Sequence, residues 1–132
     1  MKNIFLLFTI LLYFSSYSQN EAPPQGINYQ AVIYGPTSQH PSLNPTIGPI
    51  INQNVTMRMS IYEGDLNATL SYMEIHNSVT DEFGMVSIII GQGNSQYDLT
   101  QVNWGENSHY LRVEIDKTGG TNFENMAYQK LW

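Results

Sequence analysis

The chain predicts an all-β fold: an antiparallel β-sandwich of about seven strands, preceded by a signal peptide. Three observations carry this. After residue 18 no stretch shows the apolar period of a helix, whereas several alternate apolar and polar side chains with a period of two. Those stretches recur at intervals of roughly ten residues and are separated by Gly, Asn and Asp, the usual spacing of sandwich strands and their turns. The chain has no cysteine, so an exported domain of this kind must hold together by packing and strand pairing alone. Thiolate metal sites, iron–sulfur clusters and cysteine nucleophiles are excluded with it.

Residues 1–18 stand apart from the fold. Lys2 forms a short positive head, and residues 4–14 (IFLLFTILLYF) are apolar throughout. That run is about half the roughly twenty residues a membrane span needs, and it matches the apolar region of a signal peptide. Ser16 and Ser18 place small residues at −3 and −1 of a cleavage point before Gln19. The expectation is export, with residues 19–25 as a short Pro-bearing leader and residues 26–132 as one domain. No membrane insertion is expected after signal removal.

The strands follow in order. Residues 26–34 (GINYQAVIY) place Ile27, Tyr29, Ala31 and Ile33 on one face. Residues 35–54 carry four prolines and no period, and read as a long surface or binding loop in which residues 47–51 form a short edge strand or pack their isoleucines over the end of the core. Residues 55–62 (VTMRMSIY) point Val55, Met57, Met59 and Ile61 inward, the methionines as adaptable core filler. Residues 69–91 are the organising stretch. Tyr72, Glu74 and His76 form a polar face opposite Ser71, Met73 and Ile75, and Val86, Ile88 and Ile90 alternate with Met85, Ser87 and Ile89. The two halves predict a hairpin closed by Asp81 as side-chain acceptor and Gly84 as the positive-φ residue. Ile89 makes the second half apolar on both faces, which predicts a centrally placed strand.

Leu99, Val102 and Trp104 are the expected anchors of the loop after Gly91. Residues 109–116 (HYLRVEID) alternate again, with Leu111, Val113 and Ile115 inward, and Gly119 and Gly120 supply the next turn. A last strand begins at Phe123. Leu131-Trp132, two large apolar residues at the end, make the domain look truncated.

Loss of Lys2 would take the formal charge from −6 to about −7, which argues against nucleic acid and anionic lipid as partners. No nucleophile elbow or ordered Ser-His-Asp context is present. Glu74 and His76 share a strand face at a spacing that metal sites use, but one Glu and one His are too few ligands. Asp116 and Asp65 read as turn acceptors, since the dense oxygen pattern of a calcium loop is missing. No catalytic residue, metal or cofactor is expected. A hydrolase would need polar groups clustered in a cleft.

Several stretches occur together in a recognisable order: GINYQAV at residues 26–32, the Tyr72/Glu74/His76 strand, Gly84, IGQG at 90–93, VNW at 102–104, and LRVEIDKTGGTNF at 111–123. The chain thereby resembles the N-terminal β-sandwich module of exported Bacteroidetes surface proteins, which precedes tail-fibre-like, collagen-like or type IX secretion-associated regions. The resemblance spans nearly the whole chain after the signal. It departs in the length and proline content of residues 35–54, and in stopping before the stalk. It implies a non-enzymatic structural or interaction module, and other domains of a longer chain or surface proteins as partners, with an oligomer as one outcome; the strand spacing itself accommodates an immunoglobulin-like or a prealbumin-like arrangement. The alternative is a carbohydrate-binding module. Tyr34, Tyr62, Tyr97, Trp104 and Tyr110 fall in loops or at outward strand positions, where aromatic rings can stack on a glycan or a partner.

Overall fold

The structure, a computed structural model, describes residues 25–37, 46–64 and 68–131. The expected signal peptide, most of the expected leader, His40, Asp65 and Trp132 lie outside these residues. The chain is an antiparallel all-β sandwich. Its strands are β1 (Ile27–Val32), β2 (Tyr34–Thr37), β3 (Thr46–Pro49), β4 (Asn54–Glu63), β5 (Thr69–Val79), β6 (Met85–Ile90), β7 (His109–Asp116) and β8 (Glu124–Lys130). A 3-10 turn at Leu99–Gln101 is the one helical element among the described residues. No helix among them is long and apolar enough to cross a membrane.

One layer is a four-stranded sheet in the order β5-β4-β7-β8. Its centre, β4, pairs with β5 in a register that sets Met59 opposite Glu74, and with β7 in one that sets Met59 opposite Val113. The second layer holds the pairs β1-β6 and β2-β3. These are linked at Ile33. Its N–H donates to the Gly84 carbonyl and its own carbonyl accepts from the Ile50 N–H, both at 2.8 Å. Residues 27–37 thus form one long segment that leaves β6 and takes up β3. Counted that way, the eight strands amount to the seven extended segments the spacing predicts.

The core follows from the alternation. Val55, Met57, Met59 and Ile61 of β4 meet Val86, Ile88 and Ile90 of β6 and Leu111, Val113 and Ile115 of β7, with Ile33, Leu99 and Val102 closing the ends. All of these are buried.

Two expectations change, and a third point is settled. Residues 69–91 do not form a hairpin: β5 pairs with β4, β6 pairs with β1, and the turn between them joins the two layers. The turn itself is as expected. The Asp81 carboxylate accepts from the N–H groups of Phe83 and Met85 at 2.8 Å each, and Gly84 has φ 79°. Gly84 is also required by space, because a Cβ there would lie 2.7 Å from Cβ of Pro49. The approach of β3 diverts β6 from β5. Second, Ile89 is 38% exposed on a strand of a two-stranded pair, not at the centre of a covered sheet. Third, the alternation in β5, which left open which face is covered, resolves with the polar face inside: Tyr72 and Glu74 point into the sandwich, and Met73 and Ile75 are half-buried on the outer side.

Candidate functional site

A carboxylate inside a sandwich core must be hydrogen-bonded to be tolerated. Glu74 is fully buried and meets that demand from three directions. Tyr72 Oη–H donates to Oε2 at 2.8 Å, and His76 Nε2 lies 2.8 Å from Oε1. The backbone N–H of Gly91 reaches both oxygens at 3.0 Å, and that of Gly93 reaches Oε2 at 2.8 Å. Converging backbone N–H groups are an anion-binding arrangement. A carboxylate only accepts, so His76 donates to it through Nε2–H. Burial by itself raises the Glu74 pKa. The bonds from His76, Tyr72, Gly93 and Gly91 outweigh it and hold the carboxyl below the ordinary glutamate range. Burial, then the bond to Glu74, pushes the Tyr72 hydroxyl far up.

This cluster fastens the loop after β6 onto β5. The Ile75 and Asn94 backbones exchange N–H···O bonds at 2.9 Å in both directions. Ser95 Oγ–H donates to the Met73 carbonyl at 2.6 Å. Gly93 is needed for close approach: a Cβ there would lie 2.7 Å from His76 Nε2 and 2.8 Å from Glu74 Oε2.

His76 borders a cleft of about 830 Å³, lined also by Asn28, Tyr29 and Gln30 of β1, Ser87 and Ile89 of β6, Asn77 of β5, and Gln92. It opens where β5 and β6 lie in contact without pairing. A smaller pocket of about 340 Å³ holds Tyr97 beside Tyr72 and Ser95, the two tyrosine rings meeting edge-on at 6.4 Å.

The five aromatic residues singled out from the sequence do not converge. Tyr34 is 54% exposed on β2. Tyr97 sits in the small pocket. Trp104 takes the anchor role expected of it and not an outward one: it packs against the core, its ring 5.0 Å from that of buried His109. Tyr62 and Tyr110 do belong together, directly opposite each other on β4 and β7. Tyr128 of β8, unmarked by the sequence, stacks on Tyr110 at 5.5 Å with the rings 3° from parallel, and is 53% exposed. On that outer face Glu114 accepts from Arg58 Nε at 2.7 Å and Arg112 Nη2 at 3.0 Å, and Arg58 lies over the Phe123 ring. The bond from Arg58 lowers the Glu114 pKa.

Asp116 is a turn acceptor, bonded by the Thr118 N–H and hydroxyl and the Asn122 N–H. Gly119 has φ 75°, but Gly120 does not share the positive φ expected of it. Its small size instead lets Asp116 Oδ2 come within 2.8 Å of where a Cβ would stand. Among the described residues no three His, Asp or Glu side chains are grouped to hold a metal ion.

The role of the IGQG run could have been anticipated in part. Two glycines one residue apart beside a strand carrying Glu hint at backbone N–H groups facing a carboxylate. The cleft amides carry no sequence signal at all.

Fold and clasp together define an antiparallel β-sandwich whose inner glutamate is held by the loop that leaves one layer. The model of a family described as a domain of unknown function (DUF8740) matches residues 42–127, about two-thirds of the chain, and the chain belongs to that family. No curated protein and no solved structure matches it.

Proposed function

We propose that the chain is a non-enzymatic structural and interaction module, the N-terminal β-sandwich of a longer exported surface or fibre-like protein. The observation that carries this reading is Glu74. Its lone pairs are taken by Tyr72, His76, Gly91 and Gly93, so the most strongly engaged acid secures a loop rather than facing a substrate. Asp81, Asp98 and Asp116 are likewise occupied by the N–H groups of their own turns. The apolar run at residues 4–14 supports export.

The test is expression of the full chain in a bacterial host that processes signal peptides, followed by cell fractionation and assay of the recovered protein with chromogenic esters, glycosides and peptides. The expected result is an exported protein without turnover. Cytoplasmic retention of the unprocessed chain overturns export, and turnover abolished by His76→Gln overturns the non-enzymatic role.

A second reading, carbohydrate binding, is favoured by two observations. Tyr62, Tyr110 and Tyr128 share the outer sheet face, and uncharged amide side chains line the cleft beside β5.

A further inference from the structure

We propose that the cleft between β5 and β6 binds an uncharged carbohydrate, recognised by the carboxamides of Asn28, Gln30, Asn77 and Gln92. This rests on the carbohydrate reading and deepens it by moving the site from the tyrosine face to the cleft.

The cleft's volume falls in the range of small-ligand sites, roughly 300–1,000 Å³. Four carboxamides line it, with Ser87 and the His76 imidazole, and among the described residues no Lys, Arg, Asp or Glu joins them. A carboxamide carries both donors and an acceptor, which suits hydroxyl groups that also donate and accept. Asn77 Oδ1 already accepts from the Thr56 hydroxyl at 3.3 Å and one N–H of Gln30 is used within the wall, leaving the Asn77 amide N–H groups and the Gln30 carbonyl for a ligand. Ile89, on the same face as Asn28, Gln30 and Ser87, provides an apolar surface for the C–H face of a sugar ring. The formal charge of −6 disfavours anionic polymers.

Two features show that the walls are held in place. The imidazole of His76 is fixed by Glu74, and Gln30 Nε2–H donates to Ser87 Oγ at 3.1 Å. A wall that is already positioned loses less side-chain freedom on binding.

A peptide added as an extra strand would use the backbone groups bordering the cleft, and several are taken. Ile75 is bonded to Asn94 through both its N–H and its carbonyl, Met85 to Asp81 in the same way, and the Ile89 carbonyl accepts from the Gln92 N–H at 3.1 Å. An added strand could therefore pair only over the short stretch between these engaged positions.

The experiment is saturation-transfer NMR on the exported protein with cellotetraose, xylotetraose, maltotetraose and mannotetraose, beside the neutral peptide acetyl-Ala-Asn-Ala-amide. Asn28→Ala, Gln92→Ala and Tyr110→Ala are compared with wild type, and circular dichroism verifies that each is folded. The first two residues are exposed, so their truncation leaves the core intact. The expected result is transfer to at least one tetrasaccharide, weakened about tenfold or more in Asn28→Ala and Gln92→Ala and unchanged in Tyr110→Ala. Binding lost only in Tyr110→Ala overturns the cleft while leaving carbohydrate binding standing. Transfer to no tetrasaccharide, or to the peptide alone, overturns both.

Discussion

At the scale of single residues, Glu74 shows how an alternating pattern conceals direction. Tyr72, Glu74 and His76 occupy one face of β5, and polarity alone would turn that face to water. The register with Met57, Met59 and Ile61 turns it inward, where Gly91 and Gly93 supply the donors that water would have given. Glu74→Gln keeps the shape and removes the charge, and should cost about 1.5–3 kcal/mol, the range for hydrogen bonds to a charged group. The effect has a pH signature. A carboxyl held below its unfolded pKa contributes stability above the ordinary glutamate range and loses it as the pH falls through the folded value. Melting temperatures of wild type and Glu74→Gln should therefore differ most near neutrality and converge on acidification. Equal spacing of the two curves at every pH would refute that role for the charge. Gly93→Ala tests the same cluster sterically. Its Cβ drives the His76–Glu74 pair apart, and a loss of about 1–3 kcal/mol is expected in urea titration, as for overpacking elsewhere.

The central element is the β5–turn–β6 unit. Its strand lengths and its Asp81–Gly84 turn were legible because each depends on neighbouring residues only. Partner choice was not. It depends on Pro49 and Ile50 reaching Gly84, and on Ile33 bonding to both Gly84 and Ile50, which are contacts distant in sequence. Gly84→Val meets the strained φ and the contact with Pro49 together. It should destabilise the protein more than Gly93→Ala, and it should raise amide exchange in β3 and the β1–β2 junction, not only in β6. Exchange confined to residues 81–90 would show the turn to be independent of β3. In the middle of β4, Met59 is wholly buried between Glu74 and Val113. Met59→Ala should cost about 2–5 kcal/mol, measured by thermal or urea unfolding.

For the whole molecule, the absence of cysteine leaves packing and hydrogen bonds to join the layers. The segment 27–37 pairs with β6 and β3 in turn, while the 91–98 loop ties the end of β6 to β5 through Glu74 and Asn94. Neither layer can open without exposing the shared apolar interior. Urea unfolding should accordingly be a single transition, with the fluorescence of Trp104, packed against that interior, coincident with far-UV circular dichroism. Separated midpoints would mean that the layers unfold independently.

By itself the sequence determined the all-β class, the position of nearly every strand and the inward residues of β4, β6 and β7. Alternation and turn chemistry are local, and each segment states them without reference to the others. Only the tertiary structure decided which face of β5 is buried, that β5 and β6 part company, and that Tyr128 joins Tyr62 and Tyr110. The cleft belongs with these. Its amides come from β1, β5 and the residues after β6, and they share a space because two layers meet there, which no single stretch of chain encodes.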